Sequence, residues 1–264
     1  ANANPAEATT SITYRTPTVT LPVDRTTGGA KVVAEFAGRV FYAGFSSENT
    51  GGDSQSPNLG AYVFYSQLVR DGSQVNRCYQ EGDPTGPEAP DLLDTDGGFV
   101  RVSGVYNIQR LINVGQALLI FAENGVWALS GSDTGVFTAT NQSVNKISEH
   151  GTIAPQSVVL VDGTVMFWSD DAIYHAAPSE VGQWSVKELS VNIRTYFQNI
   201  NSDDKVGCQG IFDSYEKKVR WLFNTASDSD SDVTELVFDL VLSAFYPIVI
   251  QSLGIEGPTP VAPI

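Results

Sequence analysis

The chain offers few side chains for chemistry. Two histidines, His150 and His175, and two cysteines, Cys78 and Cys208, are all that 264 residues contain. His150 stands before Gly151 at an expected turn, and His175 follows Ile173-Tyr174 on an expected strand. Neither has a serine or cysteine nearby in the context that a nucleophile and its base require, so both read as structural or surface residues. G-x-S-x-G, H-E-x-x-H and P-loop patterns are absent from the sequence. A metal site built from His and Cys would lack ligands. The cysteines are far apart with no C-x-x-C spacing. They read as two buried free thiols, with a disulfide between them left open.

Oxygen ligands are the richer resource. In "SDSDSD", Asp228, Asp230 and Asp232 alternate like the first ligands of a calcium loop. The glycine and distal glutamate of an EF-hand do not follow, so the preferred reading is a solvated acidic loop, with calcium as the alternative. "SDTGVF" (Ser132–Phe137) faintly resembles the Asp-box turn of sialidases, but Asp133 is one position early and the Thr-Trp ending is missing. A plain hairpin turn is the preferred reading. Paired carboxylates can cleave glycosides, yet 30 acidic residues give no means of choosing a pair. No catalytic or cofactor-binding residue is assigned, and no cofactor is expected.

The formal charge is -15, from 30 acidic and 15 basic residues. That balance opposes an ordinary nucleic-acid footprint, which needs basic groups to displace counterions from phosphates. It also opposes docking on an anionic membrane. No apolar run has the length to cross a bilayer, and the N-terminus lacks the basic and apolar segments of a signal peptide. The hydrophobic share of 42% is that of a globular protein. A chain of this length can bury roughly three quarters of its unfolded surface. Glycine (24) and proline (13) suit a fold with many turns.

What must position these side chains is a repeated meander. "SVVLVDGTVMFWSDDAIYHAAP" (Ser157–Pro178) contains three short apolar runs broken at Asp162-Gly163 and Asp170-Asp171. "LINVGQALLIFAENGVWALSG" (Leu111–Gly131) repeats the plan, with breaks at Gly115-Gln116 and Glu123-Asn124-Gly125. Runs of β-branched, aromatic and leucine residues favour strands, and the breaks carry turn chemistry. The two copies start about 46 residues apart, the spacing of propeller blades. A third copy joins "GIFDSYEKKVRWLFN" (Gly210–Asn224) to "TELVFDLVLSAFYPI" (Thr234–Ile248), and an earlier one joins Ala34–Phe45 to Ala61–Val69. One meander cannot hide both faces of its sheet, so the units must stack. The expected fold class is all-β: a β-propeller-like array of four-stranded antiparallel blades with loop insertions and one short helix. A generic sandwich or barrel is the competing architecture.

The array is expected over residues 31–250. Residues 1–30 read as an N-terminal arm or partial blade strand, and the proline-rich 251–264 as a C-terminal arm or linker. Gly-, Pro-, Asp- and Ser-rich stretches at 46–58 and 80–98 read as rim insertions. In "SVNIRTYFQNI" (Ser190–Ile200), Ile193, Tyr196, Phe197 and Ile200 share one helical face, and Ser190 or Asn192 can cap the start. Trp184 is a candidate contact anchor, with core burial the preferred reading.

"HGTIAPQSVVLVDGTVMFWSDDAIYH" (150–175), followed by the helix, "VRWLF" (219–223) and "ELVFDLVLSAFYP" (235–247), resembles the propeller region of tail nozzle proteins of short-tailed bacteriophages. This family is often called tail tubular protein B. The shared features are a His-Gly-Thr run entering an apolar strand, an Asp-Gly turn before an aromatic strand, and a closing Phe-Asp…Ala-Phe-Tyr-Pro strand pair. The likeness covers about residues 31–250. It implies a virion structural protein, not an enzyme. It also implies assembly in the bacterial cytoplasm into a hexameric ring at the distal end of the tail, beside adaptor and fibre proteins. The genome would pass through that ring without specific binding or a membrane anchor. Family chains are longer, so this one would be a compact relative or an excised section. Part of the negative charge would then line the channel and keep DNA from adhering. A host-surface glycan-binding propeller, or a glycan-cleaving one, is the alternative function.

Overall fold

A computed structural model describes residues 30–45, 59–80, 92–132, 135–179, 183–224 and 233–250. The expected arms at 1–30 (except Ala30) and 251–264, the whole of the 46–58 insertion and residues 81–91 of the 80–98 insertion lie outside the described residues. The fold is all-β, and the described residues build four four-stranded antiparallel sheets, each a simple up-and-down meander.

The first sheet contains β1 (Val32–Phe36), β2 (Arg39–Ala43), β3 (Tyr62–Tyr65) and β4 (Gly98–Arg101). The second contains β5 (Ile108–Val114), β6 (Ala117–Ala122), β7 (Gly125–Ser130) and β8 (Ser143–Ser148). The third contains β9 (Val159–Val161), β10 (Thr164–Trp168), β11 (Ile173–Pro178) and β12 (Trp184–Glu188). The fourth contains β13 (Gln209–Asp213), β14 (Lys218–Asn224), β15 (Val233–Asp239) and β16 (Ala244–Ile250).

Turn chemistry sets the registers. Asp162 and Gly163 both have positive φ (45° and 81°) and connect Val161 directly to its partner Thr164. Such a primed two-residue turn matches the strand twist. Ala37 and Gly38 do the same between Phe36 and Arg39. In the fourth sheet two longer hairpins share one device. Asp213 Oδ1 accepts the backbone N–H groups of Tyr215 and Glu216, and Asp239 Oδ1 accepts those of Val241 and Leu242. Two expected boundaries shift. β3 ends at Tyr65 rather than running to Val69, and the 80–98 insertion gives way at Gly98 to β4.

The side-chain alternation of strands sorts the core into seams. Leu118 and Ile120 of β6 pack with Phe41 and Val63 of the first sheet. Their neighbours Leu119 and Phe121 face Val165 and Phe167 of the third sheet instead. Met166 and Trp168 of β10 face Trp221 and Leu236 of the fourth. A fourth cluster, around Tyr42, Phe64 and Cys78, covers part of the first sheet's outer face. No apolar cluster among the described residues joins the fourth sheet to the first.

The expected helix splits. Ser190–Ile193 form a 3-10 turn that leads into α1 (Arg194–Gln198). Phe197 is fully buried, while Ile193 and Ile200 pack on the same cluster; Tyr196 faces solvent. Ser190 caps no helix, because its hydroxyl accepts the N–H of Ile173. A second helix, α2 (Ser202–Val206), is capped by Asn201, whose side-chain oxygen accepts the Asp203 N–H.

One buried cation ties the first sheet's long loop down. Arg39 is 2% exposed. Its guanidinium donates to the carbonyls of Ser66 (2.7 Å), Asp96 (2.5 Å) and Asp94. It also sits over the rings of Tyr65 and Phe137. Burial lowers its pKa, and Tyr65, Asp96 and Asp94 oppose that shift. Arg39→Met would leave several carbonyls without a donor. The expected cost is about 3 kcal/mol, read as a lower urea midpoint at unchanged slope; an unchanged midpoint would refute the clamp.

Candidate functional site

The sequence-level metal candidates Asp228, Asp230 and Asp232 lie outside the described residues, as does Asp133. Among the described residues no group of three or more His, Cys, Asp or Glu side chains could hold a metal ion. Cys78 and Cys208 are both free and buried, in different clusters. Burial pushes the Cys78 thiol up to about 12 and raises that of Cys208 as well, so neither is a ready nucleophile. Trp184 is half-buried and packs on the seam between the second and third sheets, in keeping with the core reading. His175 is half-buried on β11, its pKa lowered by burial and then by Lys187.

His150 has a different setting. It follows β8 in the segment that crosses from the second sheet to the third. Its N–H is accepted by Ser148 Oγ at 3.0 Å. Gly151 then presses against the β6–β7 turn so closely that an added Cβ would lie 2.0 Å from the Ala122 carbonyl oxygen. Thr152 completes the crossing: its N–H donates to Ala122 O (2.9 Å) and its hydroxyl to Trp168 O (2.7 Å). The His-Gly-Thr run is therefore a stitch between two sheets, and glycine is the residue that fits its middle position.

The stitch places the His150 ring on Tyr174 of β11. The rings stack at 4.4 Å and 21°. The Tyr174 hydroxyl lies 2.7 Å from Asp171 Oδ2 and 2.9 Å from His150 Nδ1. A phenol has one proton, and a carboxylate can only accept it. His150 Nδ1 is then the second donor, to the phenol oxygen. His150 Nδ1 also lies 3.3 Å from Asp171 Oδ2. For Asp171, burial raises the pKa. Hydrogen bonds from Tyr174 and Ser169, with the electrostatic pull of the nearby His150 ring, outweigh it, and the net shift is downward. Burial and the Asp171 carboxylate push the Tyr174 phenol up. The pair is thus an ionised acceptor and a protonated donor, which suits recognition and opposes a phenolate nucleophile.

Register brings in the far wall. Tyr174 pairs with Glu188 of β12 across the sheet. Arg194 of α1 holds Glu188 through two bonds, Nε to Oε1 at 3.1 Å and Nη2 to Oε2. Such fork-to-fork pairing fixes direction as well as distance. Below, Lys205 of α2 is almost fully buried; its Nζ donates to Asp170 O at 2.8 Å and sits 4.6 Å from the Phe197 ring centre. The Asp170-Asp171 turn is therefore anchored from beneath. The result is an open cleft of about 510 Å³ at the seam, with Val186 and Ala172 as its apolar walls and the Gln198 amide at its edge.

The array ends form a second locus. On the outer face of the fourth sheet, Ile211 (59% exposed), Leu222 and Ile248 surround Arg220, which bridges Glu216 (2.7 Å) and Glu235 (3.0 Å). On the outer face of the first, Val33 (54%) and Phe99 (44%) are exposed. At the fourth sheet's hairpin tips, Tyr215, Val241 and Leu242 stand together in solvent.

Two outcomes check this geometry. Gly151→Ala must move the chain off the β6–β7 turn. Destabilisation of several kcal/mol, on the order expected for an overpacked backbone contact, should show in denaturant melts, together with loss of the His150–Tyr174 stack by NMR; a neutral substitution would contradict the stitch. Tyr174→Phe should raise the Asp171 pKa. The folded pKa lies below the unfolded one, so this carboxylate stabilises the fold above the unfolded value, and the contribution fades as pH falls through the folded value. The variant shrinks that acid limb. Carboxyl ¹³C titration reads the shift, and an unmoved Asp171 would exclude the phenol as its donor. No protein-family model matches this chain, and no curated protein matches it.

Proposed function

We propose that the chain is a structural component of a short-tailed bacteriophage virion, a tail nozzle subunit that packs side by side into a ring around the path of the ejected genome. One observation carries the reading: the four sheets share three apolar seams, leaving Ile211 and Leu222 exposed on the outer face of the fourth sheet and Val33 and Phe99 exposed on the part of the first sheet's outer face that its own loop does not cover. A sheet needs a covering on both faces, and a neighbouring subunit supplies one in the same geometry that already joins sheets within the chain. Face-to-face packing of unlike ends is head-to-tail, which closes into a ring when the rotation allows. The resemblance of residues 150–175, 219–223 and 235–247 to nozzle propellers supplies the setting: a hexamer, with adaptor and fibre proteins as neighbours. The charge of -15 suits a conduit that must release phosphates rather than hold them.

Light scattering of the full chain over a concentration series tests assembly. A discrete hexamer is expected, reduced by Ile211→Asp combined with Leu222→Asp to single chains that keep their circular dichroism spectrum, because both side chains are exposed on the single chain, and that melt at a lower temperature because the stabilisation from assembly is lost. Single chains throughout, or a hexamer indifferent to those substitutions, would overturn the proposed interface.

A further inference from the structure

We propose that the cleft on the third sheet, walled by α1 and by the crossing from the second sheet, is a binding site for a neutral carbohydrate. The inference goes beyond the ring assignment and does not depend on it. Tyr174 and Glu188 project toward the second sheet, whereas Ile211 and Leu222 project outward from the fourth, so ring contacts and the cleft occupy separate surfaces.

The complementarity is chemical. A pyranose offers adjacent hydroxyls, each at once donor and acceptor, on a ring with an apolar C–H face. The cleft offers Asp171 and Glu188 as acceptors, the Arg194 guanidinium as donor and the Gln198 amide as both. The His150 ring, backed by Tyr174, is a flat and half-exposed surface against which such a C–H face can lie. Val186 and Ala172 line the remainder. These groups are held before any ligand arrives. Arg194 grips Glu188 through two bonds, Tyr174 orients Asp171, and Lys205 fixes the turn that carries Asp171. Preorganisation reduces the ordering cost of binding. The volume, about 510 Å³, falls within the roughly 300–1,000 Å³ typical of small-ligand clefts.

Charge selects the class of sugar. The acidic groups of the turn and its wall, Asp170, Asp171 and Glu188, are opposed by Arg194, which is already committed to Glu188, and by Lys205 beneath the turn. One carboxylate is therefore left in excess, within a chain of charge -15. Uronic and sialic acids, or phosphorylated sugars, would bring a further negative charge beside Asp171. Neutral hexoses and N-acetylhexosamines bring none. The ligand is held and not cleaved: the phenol is kept protonated, and Glu188 is engaged by Arg194.

Saturation-transfer difference NMR on the full chain tests this, with methyl α-glucoside, methyl α-galactoside, N-acetylglucosamine and glucuronate as probes at millimolar concentration. Transfer to ring protons of at least one neutral probe is expected, with glucuronate at least about tenfold weaker. A tenfold change corresponds to about 1.4 kcal/mol. Asp171→Asn and Arg194→Ala should each abolish the signal, whereas the paired Ile211→Asp, Leu222→Asp variant should retain it. Where Asp171→Asn fails to fold by near-ultraviolet circular dichroism, Gln198→Ala at the exposed end of α1 serves as the second reading and should weaken transfer severalfold. Absence of transfer from every neutral probe, equal transfer in the cleft variants, or preference for glucuronate would each overturn the proposal.

Discussion

Every sheet in this protein has two faces, and both must be covered. That constraint accounts for the order of the whole array. β6 and β10 lie in sheets with a neighbour on either side, and their residues are apolar at successive positions. Alternate side chains of one strand enter different cores: Leu118 and Ile120 one seam, Leu119 and Phe121 the next. A strand covered on one side alone would show polar alternation instead. β14 does so over most of its length, with Val219, Trp221 and Phe223 packed inward and Lys218 and Arg220 on the opposite face. The fourth sheet's end of the array is thus visible as a change in pattern, whereas in the first sheet Tyr42 and Phe64 enter a further cluster with Cys78 and the strands stay apolar at successive positions.

The seams also generate the polar features. Two twisted sheets meet flat only over their centres, so their rims diverge and leave room for side chains that are neither core nor surface. At the rim of the second and third sheets that room is filled by the His150–Tyr174–Asp171 group. Its members need the seam for their positions. Gly151 can approach Ala122 only because it lacks a Cβ, and Thr152 reaches Trp168 O only because the sheets are in contact. The same economy appears beneath the cleft, where Lys205 exchanges hydration for the Asp170 carbonyl and the Phe197 ring. A buried cation without such compensation would be strongly destabilising.

The meander repeat was legible because its inner and middle strands are runs such as ALLIFA and TVMFW, separated by turn residues whose backbone preferences are local. The closing strands of the first three sheets were not. β4 (GFVR), β8 (SVNKIS) and β12 (WSVKE) are largely exposed or half-buried, and their pairing is decided by the strand they join rather than by their own composition. α2 was likewise hidden, since its five residues include Asp203, Asp204 and Lys205, and its burial depends on the Asp170 turn. The cleft was the least legible part. His150 and the Asp170-Asp171 turn stood out individually, yet nothing in their spacing joins them to Glu188 or Arg194. The available signal was register: once Asp170-Asp171 is read as a turn, Tyr174 must pair with a residue of the following strand, and that residue is Glu188.

Charge connects the two surfaces. A chain with twice as many acidic as basic groups gains little from bringing anions together, so its contacts must either be apolar or consume their charges locally. The outer face of the fourth sheet does both: Lys218 and Arg220 together pair with Glu216 and Glu235 within the sheet, and Ile211, Leu222 and Ile248 are left as exposed apolar surface. Salt would weaken an interface formed on that face little, because its charged groups are already paired within one chain. Around the cleft, Asp170, Asp171 and Glu188 outnumber Arg194 and Lys205 by one, so acceptors are offered without attraction for anions. The proposed apolar contact between subunits and the proposed neutral recognition in the cleft would be two answers to the same electrostatic restriction.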